Sequence, residues 1–181
     1  PRTDASATWP ECVIPYSFGP GVTSTMKANI AEAIQRVESS TNLILEESIA
    51  ADRVQFTPGA GCWSYVGMVG GVQELTLDDG CDAGSLVHEI GHAAGLWHEH
   101  NRADRDSNVT VNWNNMDPSA WDAYYTYLEE AWDGQDLGAY DFTSRMHYAS
   151  GAFALDDCTA SDPAGCVLVH KDGSFIGEAQ S

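Results

Sequence analysis

The chain has 181 residues, of which 43% are hydrophobic, and this size and composition suit one compact domain with a sizeable apolar core. Its formal net charge of −19 would be repelled by nucleic-acid phosphates and by anionic lipid headgroups, which argues against both as partners. No apolar run is long enough to cross a bilayer, so membrane insertion is not expected.

Residues Thr23 to Ser40 have the pattern of an amphipathic helix. Thr23 suits the N-cap, and apolar side chains recur after it at spacings of three and four residues. We expect this apolar face to pack against a sheet. Its members are Met26, Ile30, Ala33, Ile34 and Val37.

Four short strands are predicted between this helix and residue 77. Their β-branched and aromatic residues favour extended structure, and Gly70-Gly71 is expected to form a bend or bulge between the last two. A second helix is predicted from Ala83 to Ala94, followed by irregular chain with one helix-like stretch from Ser119 to Ala131. The strands are Leu43–Glu47, Arg53–Thr57, Trp63–Val69 and Val72–Leu77.

Five cysteines without a CxxC pair indicate disulfides and an oxidising compartment. Cys158 and Cys166 flank the short polar loop TASDPAG and are expected to pair with each other. The polar segment from Asp133 to Asp141 has carboxylates, but their spacing fits no EF-hand loop. We therefore expect a solvated acidic loop there.

The run HEIGHAAGLWHEHNRADRD, from His88 to Asp106, indicates a zinc site. His88 and His92 are spaced to project from one face of a helix. Gly95 suits the left-handed end of that helix, after which the chain could return His98 as a third ligand. Three protein ligands leave one coordination position open, which is typical of a catalytic zinc site.

Glu89 is the candidate general base, because it lies beside the first ligand and can face a water molecule on the metal. Two plainer interpretations compete with this one. The histidines could bind no metal, although the extended pattern HExxHxxGxxH is rare by chance. The zinc could be structural, although such sites favour four ligands that include cysteine, and no cysteine lies in the motif.

The extended motif is the metzincin signature, and its continuation HEHNRADRD resembles that of the astacin family in particular. The resemblance runs from about Trp9 to about Ser150. Four other segments are similar to astacin segments: VIPYSF (Val13–Phe18), GCWSYVG (Gly61–Gly67), NVTVNWNNMDP (Asn108–Pro118) and SRMHYAS (Ser144–Ser150).

The resemblance implies an α+β, zincin-like fold with two lobes and an active-site cleft. The N-terminal lobe, about residues 1–97, would have a mixed sheet and two long helices, and the C-terminal lobe, 98–181, would be mostly irregular. Together they would form a single catalytic domain over 1–181. The resemblance also implies a Cys62–Cys81 disulfide and a buried ion-pair network at RADRD, Arg102 to Asp106, where a solvated charge cluster is the alternative.

The same resemblance assigns roles to three residues outside the zinc motif. Met146 would form the Met-turn beneath the zinc. Tyr148 would bind the resting zinc through its phenol oxygen, swing away when substrate enters, and stabilise the oxyanion. Glu99 would be linked to the mature N-terminus. Ordinary core packing is the alternative for Met146 and Tyr148, and His100 and His147 are expected to be hydrogen-bonding groups and not ligands.

The N-terminus lacks the basic and apolar regions of a signal peptide. Together with the resemblance, this predicts a secreted mature form that was cut from a precursor in which a propeptide acts as inhibitor. The family's final helix and one of its cysteines have no counterpart here. We therefore expect a missing C-terminal tail whose cysteine paired with Cys12.

A protein or peptide substrate is expected to add a strand along an edge at Tyr65, Val66, Gly67, Met68 and Val69. The family often prefers small or acidic residues just beyond the scissile bond, and Lys171 is a candidate for favouring an acidic one. The sequence thus predicts a secreted zinc endopeptidase. The alternatives are a non-catalytic protein-binding module with the same fold and a zinc hydrolase of small molecules, such as a deacetylase.

Overall fold

The computed structural model describes residues 1–177 and contains two compact units. The N-terminal unit comprises Arg2–Leu96, and the C-terminal unit comprises Pro1 and the chain from Trp97 onward. The last positions of the expected second lobe, 178–181, lie outside the described residues. Within the described part, no helix is long and apolar enough to span a bilayer.

A five-stranded mixed sheet forms the frame of the N-terminal unit. Its spatial order is β2-β1-β3-β5-β4, with parallel pairing throughout except for the antiparallel edge strand β4. The strands are β1 (Val13–Phe18), β2 (Ile44–Glu47), β3 (Arg53–Pro58), β4 (Trp63–Ser64) and β5 (Val72–Leu77).

Two α-helices pack with this sheet, α1 (Ser24–Ser40) and α2 (Ala83–Ala93). The predicted cap of α1 is present, because the Thr23 hydroxyl accepts a hydrogen bond from the Met26 amide at 3.2 Å. The apolar faces of both helices and of the sheet share one core, which includes Ile30, Phe56, Leu75, Leu86 and Ile90.

The prediction of a strand over Trp63–Val69 was wrong beyond Ser64. Gly67 has φ +77, and a Cβ there would lie 2.6 Å from the Ala7 carbonyl oxygen, so the backbone turns where a strand would continue. The Gly67 amide donates to the His92 carbonyl, and the Met68 amide donates to the Ala7 carbonyl, each at 2.8 Å. This segment is therefore fastened to α2 and to the N-terminal arm instead of extending the edge.

The N-terminal arm, residues 2–9, runs past the C-terminal end of α2. The Arg2 amide donates to the Gly95 carbonyl at 2.8 Å, and the Arg2 guanidinium donates to the Val66 carbonyl at 3.2 Å. The buried Trp9 indole donates to the Ala93 carbonyl at 2.8 Å. The arm thus satisfies carbonyl groups at the end of the helix that carries the zinc motif.

The C-terminal unit has little regular structure. A small sheet pairs β6 (Val109–Val111) with β7 (Leu168–His170) in antiparallel register, and short 3₁₀ helices lie between irregular segments. The helix-like stretch predicted at Ser119–Ala131 was wrong as an α-helix. A 3₁₀ helix spans Pro118–Tyr124, and the chain then becomes extended at Tyr125, so that Tyr124 is fully buried.

Two disulfides join the described chain, one in each unit. Cys62 is bonded to Cys81, and Cys158 is bonded to Cys166. Cys12 has a free, exposed thiol.

Candidate metal centre and active site

The helix α2 presents the first two candidate ligands. Asp82 caps its start by accepting a hydrogen bond from the Ser85 amide at 2.7 Å. His88 and His92 lie on one face, with ring centroids 4.6 Å apart. Both histidines therefore direct their rings to the same place, as the i, i+4 spacing predicts.

Gly95 ends this helix in the predicted left-handed conformation, with φ +103. Its amide donates to the His92 carbonyl at 2.8 Å, and the Leu96 amide donates to the Gly91 carbonyl at 3.0 Å. This pair of bonds is a Schellman motif, which requires a residue that accepts positive φ, and here that residue is glycine.

The ring of His92 is held in one tautomer. Its Nδ1 lies 2.8 Å from the Leu96 carbonyl oxygen, so Nδ1 carries the proton and Nε2 keeps its lone pair. Burial lowers the pKa of His92 to about 4, with a further contribution from the neighbouring His88. A neutral imidazole with a lone pair on Nε2 is the form that ligates zinc.

Glu89 is buried on the same helix. Burial raises the pKa of its carboxyl to about 7, although a hydrogen bond from the Ser64 backbone opposes the shift. Ser64 belongs to the edge strand β4, so the sheet orients the carboxylate directly. A buried carboxylate with a pKa near neutrality is suited to take and return a proton.

His98 lies in the C-terminal unit within a cluster of aromatic rings. Its ring stacks on His100 at 5.0 Å between centroids and lies 4.4 Å from the ring of Tyr148. His100 is fully buried and bonded on both ring nitrogens. Its Nδ1 accepts from the Tyr148 amide at 3.4 Å, and its Nε2 donates to the Ala123 carbonyl at 3.1 Å. His100 therefore supports its neighbours through hydrogen bonds.

Met146 is buried directly before this cluster, and its carbonyl accepts from the Glu99 amide at 2.8 Å. That bond ties the predicted Met-turn to the residue after His98. His147 points elsewhere, with Nε2 2.7 Å from the Tyr140 hydroxyl and Nδ1 2.6 Å from the Tyr148 carbonyl. Burial lowers the pKa of His147, so its neutral ring fills a packing and hydrogen-bonding role.

Glu99 lies close to Pro1 within the C-terminal unit. The Gln135 amide donates to the Pro1 carbonyl at 2.8 Å. Burial lowers the pKa of the Pro1 amino group, while Asp136 and then Glu99 act in the opposite direction by favouring its charged form. The Glu99 carboxylate also accepts from the Asp141 amide at 2.9 Å and lies 3.3 Å from the guanidinium of Arg102.

The acidic segment Asp133–Asp141 has no buried residue, in keeping with the expected solvated loop, but it is also bonded to Arg102. The guanidinium of Arg102 donates to the carbonyls of Leu137 and Gly138 at 3.1 and 3.0 Å, and it forms a bidentate pair with Asp104 at 2.9 Å. The Asp136 carboxylate in turn accepts from the Ala103 and Asp104 amides. The backbone of this loop is therefore folded around the guanidinium of Arg102.

Arg105 is only 2% exposed and has a comparable role nearby. It donates to the Tyr124 carbonyl, pairs with Asp106 at 2.9 Å, and lies 3.5 Å from Glu129. Arg102 and Arg105 are both buried, so for them the interpretation of RADRD as a buried ion-pair network applies and that of a solvated charge cluster does not. The side chains of Asp104 and Asp106 stay 43% and 76% exposed.

Sequence reasoning missed several groups that hold these residues in place. They are the Ser64 amide, the Leu96 carbonyl and the Tyr140 hydroxyl. Backbone groups leave no residue-type signal. His100, by contrast, was expected to be a hydrogen-bonding group, and the bonds at both of its ring nitrogens agree with that expectation.

Comparisons with known proteins now decide the family. The family model described as Astacin, a peptidase family, matches residues 2–163. The chain belongs to the astacin family. Zinc metalloproteinase nas-13 of Caenorhabditis elegans is 36% identical over 159 residues, which cover 86% of this chain and 35% of that protein. Human Tolloid-like protein 1 is 39% identical over 163 residues, which cover 85% of this chain and 16% of that protein.

A solved structure is also similar, that of high choriolytic enzyme 1, a hatching enzyme zinc-protease from Oryzias latipes. It matches with a TM-score of 0.82 and 26% identity over 98% of this chain and 88% of that chain. The predicted family and the α+β zincin-like fold class are confirmed. The chain spans about a third of the length of nas-13 and less of Tolloid-like protein 1.

Proposed function

We propose that this chain is a zinc-dependent endopeptidase that cleaves peptide bonds in proteins. The observation that carries the proposal is the placement of Glu89 on α2, buried beside His88 and His92 and hydrogen-bonded by the edge strand. Membership of the astacin peptidase family supports peptide-bond hydrolysis as the reaction.

His88, His92 and His98 are the proposed ligands of one zinc ion. The donor set fits that metal, because His92 offers a neutral Nε2 and the motif supplies three imidazoles and no cysteine. Zinc, when bound, would lower the pKa of a water molecule and polarise a carbonyl group. No fourth protein donor is needed for that chemistry, and Tyr148 is proposed to approach the metal only in the resting state.

Glu89 would take the proton from the attacking water and pass it to the leaving nitrogen of the cleaved bond. Its burial supports this role, since a carboxyl with a pKa near neutrality can both accept and release a proton. The Ser64 amide would keep the carboxylate aimed in one direction throughout.

Tyr148 would donate a hydrogen bond to the substrate carbonyl oxygen as negative charge grows there. Its ring lies against His98 and His100, and its amide is bonded to His100, so its backbone is fixed while the phenol extends from it. The hydrogen bond from the Glu99 amide to the Met146 carbonyl would help to fix the backbone next to His98 and Tyr148.

Substrates are proposed to be proteins or peptides bound in extended form. The expected pairing edge over Tyr65–Val69 must be shortened, because the amides of Gly67 and Met68 already have partners in the chain. Pairing is therefore proposed for Trp63 and Tyr65, on either side of Ser64, whose own amide is bonded to Glu89.

An extracellular location and a propeptide inhibitor are proposed as well. The two disulfides support an oxidising compartment, because disulfides are rare where glutathione keeps thiols reduced. The propeptide is proposed from the family alone.

The competing hypothesis is a binding module that keeps the fold and lacks catalysis. One experiment separates the two. We expect the purified protein to degrade casein, to lose that activity with 1,10-phenanthroline, and to regain it with added Zn²⁺. Binding of casein without any cleavage in the presence of stoichiometric zinc would favour the module and contradict the proposal.

A further inference from the structure

The segment from Ala149 to Leu155 follows the Met-turn and is fixed at both ends. The buried Ser150 accepts from the Val167 and Leu168 amides, and its hydroxyl accepts from the Ile176 amide at 2.7 Å. At the other end, the Leu155 amide donates to the Asn115 carbonyl at 2.9 Å. The backbone between these anchors has little freedom.

Phe153 lies at the centre of this segment with φ +60. An aromatic residue rarely adopts that conformation, and it costs about 1–3 kcal/mol unless the surroundings impose it. The neighbours do impose it. The Tyr124 hydroxyl donates to the Ala152 carbonyl at 2.6 Å, and the Ala154 amide donates to the Gly151 carbonyl at 3.1 Å.

The unusual backbone keeps the ring of Phe153 out of the core. The side chain is 55% exposed, yet its centroid lies 5.9 Å from that of Tyr148 and 6.4 Å from that of Tyr124. Burying the ring would have stabilised the unit, since aromatic burial is a large favourable contribution. The chain instead holds an aromatic surface beside the residue proposed to donate to the substrate.

We propose that Phe153 is a substrate-contact residue that makes the protein select an apolar side chain at one position near the cleaved bond. This inference rests on the proposed function, because it takes Tyr148 to lie beside the bound peptide. The free energy of binding becomes more favourable when an apolar side chain of the peptide covers an exposed aromatic face, and glycine contributes little to it. Selectivity at this position would then come from Phe153 and not from a charge such as that of Lys171.

The test measures peptide binding in a protein that cannot cleave. The protein is the zinc-loaded Glu89→Gln variant. The probes are fluorescently labelled six-residue peptides, in pairs that carry either phenylalanine or glycine at one position, and each position is tested in turn. Fluorescence polarisation measures the Kd of each peptide. We expect one position at which phenylalanine binds about tenfold tighter than glycine, and Phe153→Ala should remove most of that ratio. Phe153→Leu should keep part of it.

Leu155→Ala is the matched control, because Leu155 is 61% exposed, lies two residues further along, and is equally apolar. It should leave the ratio unchanged, and the melting temperature of all variants should stay within a few degrees. An unchanged ratio in Phe153→Ala, or no position with a preference, would overturn the inference. Casein hydrolysis by the protein with Glu89 intact tests the proposed function separately, since a non-catalytic module would bind peptides without cutting.

Discussion

The interiors of the two units are built from different kinds of side chain. The N-terminal unit encloses apolar side chains from two helices and a sheet, and the sheet and helices satisfy its backbone through their own hydrogen bonds. The C-terminal unit has a small apolar cluster and depends on polar groups that reach into the interior and bond to irregular backbone. Its buried polar residues include His100, Asn101, Arg102, Arg105, Thr126, His147 and Ser150.

This difference has a physical cause. Backbone without helix or sheet leaves carbonyl and amide groups that must find partners when buried. Arg102 and Asn101 supply such partners, the first to carbonyls of residues 137–139 and the second to the carbonyls of Ala123 and Tyr125. Removing a surface charge from the N-terminal unit should therefore change the free energy of unfolding little. Removing a buried charge from the C-terminal unit should lower it substantially.

The largest effect is expected from Glu89→Gln, which removes a proton acceptor and keeps the shape of the side chain. Turnover of a peptide substrate should fall by about 10³-fold or more, because no other group replaces the base. Zinc content, measured by mass spectrometry of the metal, should stay near one per chain. Glu47→Gln on the exposed strand β2 is the control and should not change turnover. Activity retained in Glu89→Gln would remove Glu89 from the mechanism.

The contrast between the units is tested most directly by a pair of arginine substitutions. Arg105→Met should lower the free energy of unfolding by about 2 kcal/mol, because it leaves the buried Tyr124 carbonyl without its donor and removes the cation facing Glu129, whose carboxylate keeps its bonds from Thr126. Arg36→Met should cost about 0.5 kcal/mol or less, since its pair with Glu32 on α1 is 42% and 53% exposed.

Urea unfolding at fixed pH measures both free energies. Equal losses for the two variants would contradict the claim that buried cations hold the C-terminal unit together. A change in the slope of the Arg105→Met transition would indicate a change in the surface exposed on unfolding or a departure from two-state behaviour.

A smaller effect on catalysis is expected from Tyr148→Phe. Turnover should fall by about 10²-fold, the effect of losing one donor to a developing oxyanion, while KM changes little. The ring contacts with His98 and His100 should persist because only the hydroxyl is removed. Tyr125→Phe in the same unit is the control, and an unchanged rate for Tyr148→Phe would leave Tyr148 as a packing residue.

Sequence patterns predicted the N-terminal unit well, because its elements follow periodic rules. The spacing of apolar residues gave α1 with its Thr23 cap, and the zinc motif with Gly95 gave α2 and its end. The strand over Trp63–Val69 was overestimated, since its β-forming residues cannot reveal that the N-terminal arm and α2 take up the amides of Gly67 and Met68.

The C-terminal unit was much less predictable. The apolar residues within Ser119–Ala131 suggested a helix, yet burial of Tyr124 against His100 and Tyr148 decides the local backbone. The polar residues of Asp133–Asp141 and a carboxylate spacing that fits no EF-hand loop indicated solvation, and only the folded chain reveals that Arg102 bonds to the carbonyls of this segment. Tertiary contacts of single side chains determine this unit, and they leave no periodic pattern.

The N-terminal arm makes the metal motif dependent on residues far from it in sequence. Arg2 and Trp9 bond to carbonyls at the end of α2, and Ala7 fastens the glycine turn that contacts His92. Proteolytic removal of residues 2–9 would therefore fray that helix end and weaken zinc binding without altering any of the proposed ligands. A preparation that loses zinc during storage for this reason would show fragments cleaved within residues 2–9 in its mass spectrum.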